Sequence, residues 1–422
     1  MRFTFAPERG SLAQRLERIA YDASDCRAAL RGEKAPSNLG NEVARWCLVR
    51  GIRDHIDLAR SLEVVELATF PGQEVISRAR NARLIMSDEI PSQDAMSNEA
   101  LYPYCIWHPN VAKEETYRRL FHLFPRMRYQ VGRACAVAGY AQLYRELGLL
   151  PDVSIAEEAR ESRGKSNTGT QDIFNTIMAA LMRYRVMDDY SRVIHLEKPQ
   201  PLAFLRAETS VVATLAARRK YSNPFPHQDG FNITEDWGIG ERTAQLKSPV
   251  LTAEEASLLY TPLPLDLPTM NKTLLILHAA ATGSVDRYAL LRRPWLLPLE
   301  HLCLVRGCYH STAMATWLRT SPTLISSLNL TPKQHKMLLR AIHARCVMDG
   351  VISHLTSTTA PIPDDELPYW IWHPNSPPTS SPLASSRPAM RHQCARAAIA
   401  GLPRRIRHHH ESPRRSPRTS SC

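Results

Sequence analysis

Apolar positions in this chain recur mostly every three to four residues, the period that places them on one face of an α-helix. Leu12, Leu16, Ile19 and Ala20 form one such stripe within 11–31. Residues 112–124 set acids early and arginines late around an apolar face, an order the helix dipole favours, and Pro125 closes the segment. A helical pattern returns over 171–194. Thr252 with Glu255, ahead of Leu258, Leu259 and Tyr260, forms a capping box, and prolines 262, 264 and 268 stop the helix it starts. The polar stretch 163–170 reads as a loop, and 219–250, carrying Trp237 among glycines and prolines, as irregular structure. The pattern predicts a mostly α fold.

Four stretches share a finer pattern of helix, glycine, helix: 44–62 around Gly51, 132–147 around Gly139, 275–291 around Gly283 and 301–318 around Gly307. Slim residues precede each glycine by three or four places, as Cys47, Cys135, Ala136, Ala279, Ala280 and Cys303 do, and apolar residues such as Leu58, Leu147, Leu290 and Met314 follow it. A glycine can end the first helix of a pair. Small residues then let the two helices approach, and the later apolar residues bury against the next pair.

Part of the chain occurs twice. Pro103-Tyr-Cys-Ile-Trp-His-Pro-Asn110 returns as Pro368-Tyr-Trp-Ile-Trp-His-Pro-Asn375. Cys47-Leu-Val-Arg-Gly51 returns letter for letter as Cys303-Leu-Val-Arg-Gly307. Arg78-Ala79, Ala82-Arg83 and Met86 return as Arg340-Ala341, Ala344-Arg345 and Met348, and Arg133-Ala134 returns as Arg396-Ala397. The order is kept throughout, so a cassette of roughly a hundred residues is duplicated. The organisation this predicts is an N-terminal helical segment over 1–42, cassette copy 1 over 43–150, and a linking region over 151–270, helical and then irregular. An extra hairpin with cassette copy 2 follows over 271–401, degraded at 376–386, and a disordered Arg/Ser/Pro tail occupies 402–422.

Leu277-His-Ala-Ala-Ala-Thr-Gly283, followed by Leu290 and Leu291, resembles an ankyrin repeat in its Ala-Ala-x-x-Gly core and trailing leucines. The cassette as a whole is similar to uncharacterised proteins of filamentous fungi. The ankyrin resemblance implies a stacked, α-solenoid-like array of helical hairpins that binds another protein, with no catalytic residues to carry over and no cofactor.

Composition adds limits. Hydrophobic residues make up 44% and charged residues 22%, ordinary values for a soluble globular chain, and 422 residues exceed what one compact core usually holds. The net charge of +12 suggests nucleic acid until it is located. Nine arginines and a single acid lie from Arg387 onward, leaving the preceding body nearly balanced. Nucleic-acid contact, or a nuclear import signal, therefore falls to the tail alone, through Arg404, Arg405, Arg407, Arg414, Arg415 and Arg418. The nine cysteines show no Cys-x-x-Cys spacing, which argues for reduced, buried thiols. No apolar run is long enough to cross a bilayer and no signal peptide opens the chain. An intracellular protein, cytoplasmic or nuclear, is expected.

The best site candidate is the repeated Trp-His-Pro-Asn. Trp107 with His108 and Asn110, or Trp372 with His373 and Asn375, could hydrogen-bond a ligand stacked on the indole and so serve a helical enzyme or small-molecule binder. A helix entry with its Trp in the core explains the same residues and weighs more. The acid pairs Glu157-Glu158, Asp188-Asp189 and Asp364-Asp365 could hold a metal or work as acid and base, yet solvated helix ends and turns are the expectation. Arg163-Gly-Lys-Ser166 lacks the glycine and the strand of a phosphate loop. The reading that remains is a non-enzymatic scaffold whose partner is a protein.

Overall fold

The computed structural model describes residues 21–162, 168–206, 209–211, 251–270, 272–294, 296–297, 299–351, 363, 366–368 and 371. The described residues are mostly α-helical, with only four two-residue strands. The chain divides into two compact units, Met1–Lys272 and Thr273–Cys422. No helix among the described residues is long and apolar enough to cross a membrane.

The first unit opens with α1 (Ala23–Leu30), where the Asp22 carboxylate accepts from the Ser24 and Asp25 N–H groups that a helix start leaves open. Asn41 caps α2 (Glu42–Asp54) in the same manner, and α3 (Ile56–Arg60), α4 (Leu62–Thr69) and α5 (Glu74–Met86) follow. Small residues line the seam between α1 and α2, where Cys26, Ala29, Ala44 and Cys47 are fully buried. A Cβ on Gly51 would lie less than 3.0 Å from the Ala29 carbonyl oxygen, so glycine is what lets the two backbones meet. Gly51 therefore acts by close approach. It lies inside α2, which runs on to Asp54, and does not end the first helix of a pair as its sequence predicts.

Beyond α5 come α6 (Glu114–Leu123), α7 (Arg128–Ala138), α8 (Ala141–Glu146), α9 (Val153–Ser162) and α10 (Thr168–Met178). The amphipathic segment 112–124 is helical over most of its length. Gly139 does end its helix: it takes φ 78° after α7 and returns its N–H to Cys135. One core runs from Ile85 through α6 to α10 and on to Val211, so the first part of the linking region packs with the end of copy 1. The predicted loop over 163–170 is already helix from Thr168 onward.

The helix predicted over 171–194 stops at Met178. In its place β1 (Tyr184–Arg185) pairs antiparallel with β4 (Gln200–Pro201), and β2 (Met187–Asp188) pairs with β3 (Val193–Ile194). The cause is distant in sequence. Asp152 Oδ2 accepts from the successive N–H groups of Val186 at 2.6 Å and Met187 at 3.1 Å, donors that a helix would turn inward upon itself. After this ribbon, α11 (Ala253–Ser257) starts on the predicted capping box, with Thr252 and Glu255 bonded reciprocally.

The second unit contains α12 (Thr273–Thr282), α13 (Val285–Leu291), α14 (Glu300–His310), α15 (Thr312–Arg319), α16 (Pro322–Ser327) and α17 (Pro332–Met348). Gly283 takes φ 70° between α12 and α13, the predicted hairpin turn. Gly307, like Gly51, lies within its helix, where a Cβ would meet the Ala280 carbonyl oxygen. The parallels with the first unit are specific. Beside Gly51, the His55 ring presses on Gly32; beside Gly307, the Ser311 side chain presses on Gly283. Arg83 donates to the Arg53 carbonyl at 3.3 Å and Arg345 to the Tyr309 carbonyl at 3.3 Å. Asn81 donates to the Leu101 carbonyl at 3.1 Å, and the His343 ring hydrogen-bonds the Glu366 carbonyl at 3.2 Å. Residues just past α5 and α17 turn back alike, Glu89 N–H to Leu84 and Val351 N–H to Cys346, with Asp88 and Gly350 at positive φ. Geometrically the likeness begins at α1 and α12, ahead of residue 43 where the sequence match begins.

Candidate functional site

The segment 103–110 links α5 to α6 and is held by arginines. Arg53, nearly buried near the end of α2, donates through Nη2 to the Cys105 carbonyl at 3.1 Å and to the His108 carbonyl at 2.7 Å. Arg83 on α5 donates to Asn110 Oδ1 at 2.7 Å. Tyr117 on α6 donates to the Ile106 carbonyl at 2.7 Å and accepts from the Ala112 N–H at 3.1 Å. The His108–Pro109 peptide is cis. Trp107 points into the core, 3% exposed, with the Arg133 guanidinium carbon 4.9 Å from its ring centroid. Its Nε1 is buried and has no hydrogen-bond partner.

His108 is half-buried and Asn110 exposed, so these two do not share the tryptophan's surroundings. In the first copy the motif works chiefly through its backbone carbonyls and through an indole face covered by an arginine. Trp372, His373 and Asn375 lie outside the described residues, as do Asp364, Asp365, the 163–166 segment and the tail arginines Arg404, Arg405, Arg407, Arg414, Arg415 and Arg418.

Behind Trp107 lies a buried polar cluster, and here the expectation of solvated acid pairs fails. Glu157, Glu158 and Asp189 are 2%, 1% and 3% exposed, and Asp152 is fully buried. Arg133, itself wholly buried, binds Glu158 through Nε at 3.0 Å and Asp189 through both Nη atoms, and reaches the Thr209 carbonyl at 3.1 Å. Tyr104 donates to Asp189 at 2.5 Å. Glu157 accepts from the Arg206 N–H and the Thr209 hydroxyl, and Glu158 from the Val211 N–H. Asp152 caps α9 with one oxygen, through Ser154 and Ile155, and holds β2 with the other. Asp188, the more exposed of its pair, binds the Tyr190 N–H and the Ser191 hydroxyl.

Charge balance explains the electrostatics. Two of the four carboxylates, Glu158 and Asp189, bind the buried Arg133 guanidinium, while Glu157 and Asp152 are held by N–H and hydroxyl donors. Burial pushes Glu158 up to about 7, against the pull of Arg133 and the Val211 N–H. Asp152 is pushed by burial up to about 6, with the Val186, Met187 and Ile155 N–H groups restraining the rise. Burial acts to lower Arg133, but Asp189 and Glu158 outweigh it and hold the guanidinium above its ordinary value. Tyr104 is raised by burial and then by the Asp189 charge. Every oxygen of the four carboxylates accepts a hydrogen bond from the protein. The cluster thus fastens residues 184–206 and 209–211 to α7 and α9. Among the described residues no group of three or more His, Cys, Asp or Glu is placed to hold a metal ion.

Arg133, Arg53 and Asp152 are the residues that sequence reasoning passed over as functional. The signal for Arg133 was a lone charge in the otherwise slim, apolar run Val131-Gly-Arg-Ala-Cys-Ala136, which forces a buried partner.

Fold and site together define a mostly α-helical protein whose buried carboxylates are bound within the fold. A family model described as the YKP1 C-terminal domain matches residues 107–215, well under half of the chain. That stretch opens on Trp107 and includes Arg133, Asp152, Glu157, Glu158, Asp189 and Thr209. No curated protein and no solved structure matches the chain.

Proposed function

We propose that the chain is a non-enzymatic scaffold for protein–protein interaction, an ankyrin-like, α-solenoid-like array of helical hairpins in two copies. The observation that carries this reading is the repeated close approach of helix backbones, Gly51 on Ala29 and Gly307 on Ala280. Helices that meet through small residues can be added side by side, each burying the face of its neighbour, and extended surfaces for partners are what such arrays offer. The internal use of the candidate chemistry supports the same reading. Trp107 is covered by Arg133, the Asn110 side chain is bound by Arg83, and the carboxylates hold backbone N–H groups.

The test is affinity purification with the full chain from its native cell, with proteins, nucleic acids and small molecules all identified. A scaffold recovers a defined protein at stoichiometric yield, unchanged by nuclease or by deletion of 402–422. Recovery of a nucleic acid that is lost with the tail, or of a small molecule lost on His108→Ala, would replace this reading.

A further inference from the structure

The seam between α1 and α2 carries chemistry that the scaffold reading does not use. Cys26 on α1 and Cys47 on α2 are both fully buried in a cluster otherwise made of Ala29 and Ala44, with Leu30 and Val43 at its edge. Cys26 precedes Ala29, and Cys47 precedes Gly51, by about one helical turn. The two cysteines therefore lie one turn along the seam from the point where the α2 backbone meets the Ala29 carbonyl. Both are free thiols, buried side by side in that one cluster. A disulfide needs Cα atoms within about 4.4–6.8 Å, which neighbouring helices reach only where small residues separate them.

We propose that Cys26 and Cys47 are a redox-modifiable pair: a small-molecule disulfide such as oxidised glutathione converts them to a disulfide that staples α1 to α2. Either cysteine leads to the same products, and with Cys26 as the first nucleophile the steps are as follows. The Cys26 thiolate attacks one sulfur of the reagent and expels one glutathione thiolate. Cys47 then loses its proton and attacks Cys26 Sγ in the mixed disulfide, expelling the second glutathione. Two protein thiols are oxidised and one glutathione disulfide is reduced to two thiols. Both thiols are fully buried, so reagent reaches them through local opening of the seam.

The second unit supplies an internal control. At the matching places of α12 and α14 stand Leu277 and Cys303, so the same seam there has one thiol in place of two.

The experiment treats the full chain with oxidised glutathione, quenches in acid, alkylates in denaturant and maps non-reduced peptides by mass. The expected result is a Cys26 peptide joined to a Cys47 peptide as the principal linked species, with Cys303 alkylated. The oxidised chain should unfold at a higher temperature than the reduced chain, and Cys26→Ala or Cys47→Ala should abolish that difference. The proposal is overturned if Cys26 and Cys47 are recovered alkylated in excess oxidant, or carry only glutathione, or link chiefly to other cysteines. Should either variant fail to fold, the wild-type map alone decides between these outcomes.

Discussion

Residues 23–89 and 273–351 hold their helices together at matching positions by matching bonds, although few of the side chains involved are the same. Ala29 with Gly51 and Ala280 with Gly307 make the same backbone contact. Asn81 and His343, chemically unlike, reach the carbonyl at the same place in the following turn. Arg83 and Arg345 both cap the end of a neighbouring helix, but Arg83 goes on to Asn110, whereas Arg345 pairs with Asp349 on its own helix. The geometry the two share is made by backbone, and it tolerates changed side chains around the Ala29–Gly51 and Ala280–Gly307 contacts. The polar core of the first unit, in contrast, is held by side chains: Arg133, Asp189 and Glu158 depend on one another and on distant loops.

That contrast can be broken first at Arg133. Arg133→Ala leaves Glu158 and Asp189 buried without their cation, and should destabilise the first unit by about 3–5 kcal/mol. Hydrogen exchange read by peptide should show 104–211 exposed while 273–351 is unchanged. Trp107→Ala removes the largest side chain beside that arginine and should cost about 3–5 kcal/mol. Trp107→Phe should cost under about 1.5 kcal/mol, because the indole Nε1 has no bond to lose. Denaturant midpoints of the two variants measure the gap; equal losses would mean that Nε1 is engaged.

Titration sharpens the comparison further. The folded chain holds protons on Glu158 up to about 7 and on Asp152 up to about 6, both above their ordinary values of 4.5 and 3.8. Between those limits the folded state binds more protons than the unfolded one, so stability is greatest at the acid end and falls as pH rises. The first unit should lose on the order of a few kcal/mol from about pH 4 to pH 7. Glu158→Gln should remove about half of that loss, chiefly its upper part toward pH 7, as followed by urea unfolding across pH. A slope of opposite sign would contradict the charge balance described for the cluster. The smallest effect is expected at Asn110→Ala, about 1 kcal/mol for one exposed hydrogen bond to Arg83, measured by the shift in thermal midpoint.

Much of the helical frame was legible in the sequence because its rules are local. The capping box at Thr252, the amphipathic run ahead of Pro125 and the turn at Gly283 each depend on residues a few places apart. The division of labour among the glycines was not legible. Gly139 and Gly283 end helices, whereas Gly51 and Gly307 serve close approach, a property of the neighbouring helix and not of the pattern around the glycine. The counterpart of α12 in α1 was readable in Ala28-Ala29-Leu-Arg-Gly32 beside Ala279-Ala280-Ala-Thr-Gly283, but only the small residues and the glycine agree. The polar cluster was hidden for a different reason. Arg133 meets partners 25, 56 and 76 residues away, and acid pairs that look solvated in sequence become buried only through those contacts.

Helix backbones meet through glycine in both units, Gly51 on Ala29 and Gly307 on Ala280. Hydrogen exchange of Gly51→Ala and Gly307→Ala, compared with the unaltered chain, tests it most directly. Each added methyl should force its helices apart at a cost of about 1–3 kcal/mol or more, with faster exchange confined to α1 and α2 in the first variant and to α12 and α14 in the second. Exchange in both variants indistinguishable from the unaltered chain would contradict it.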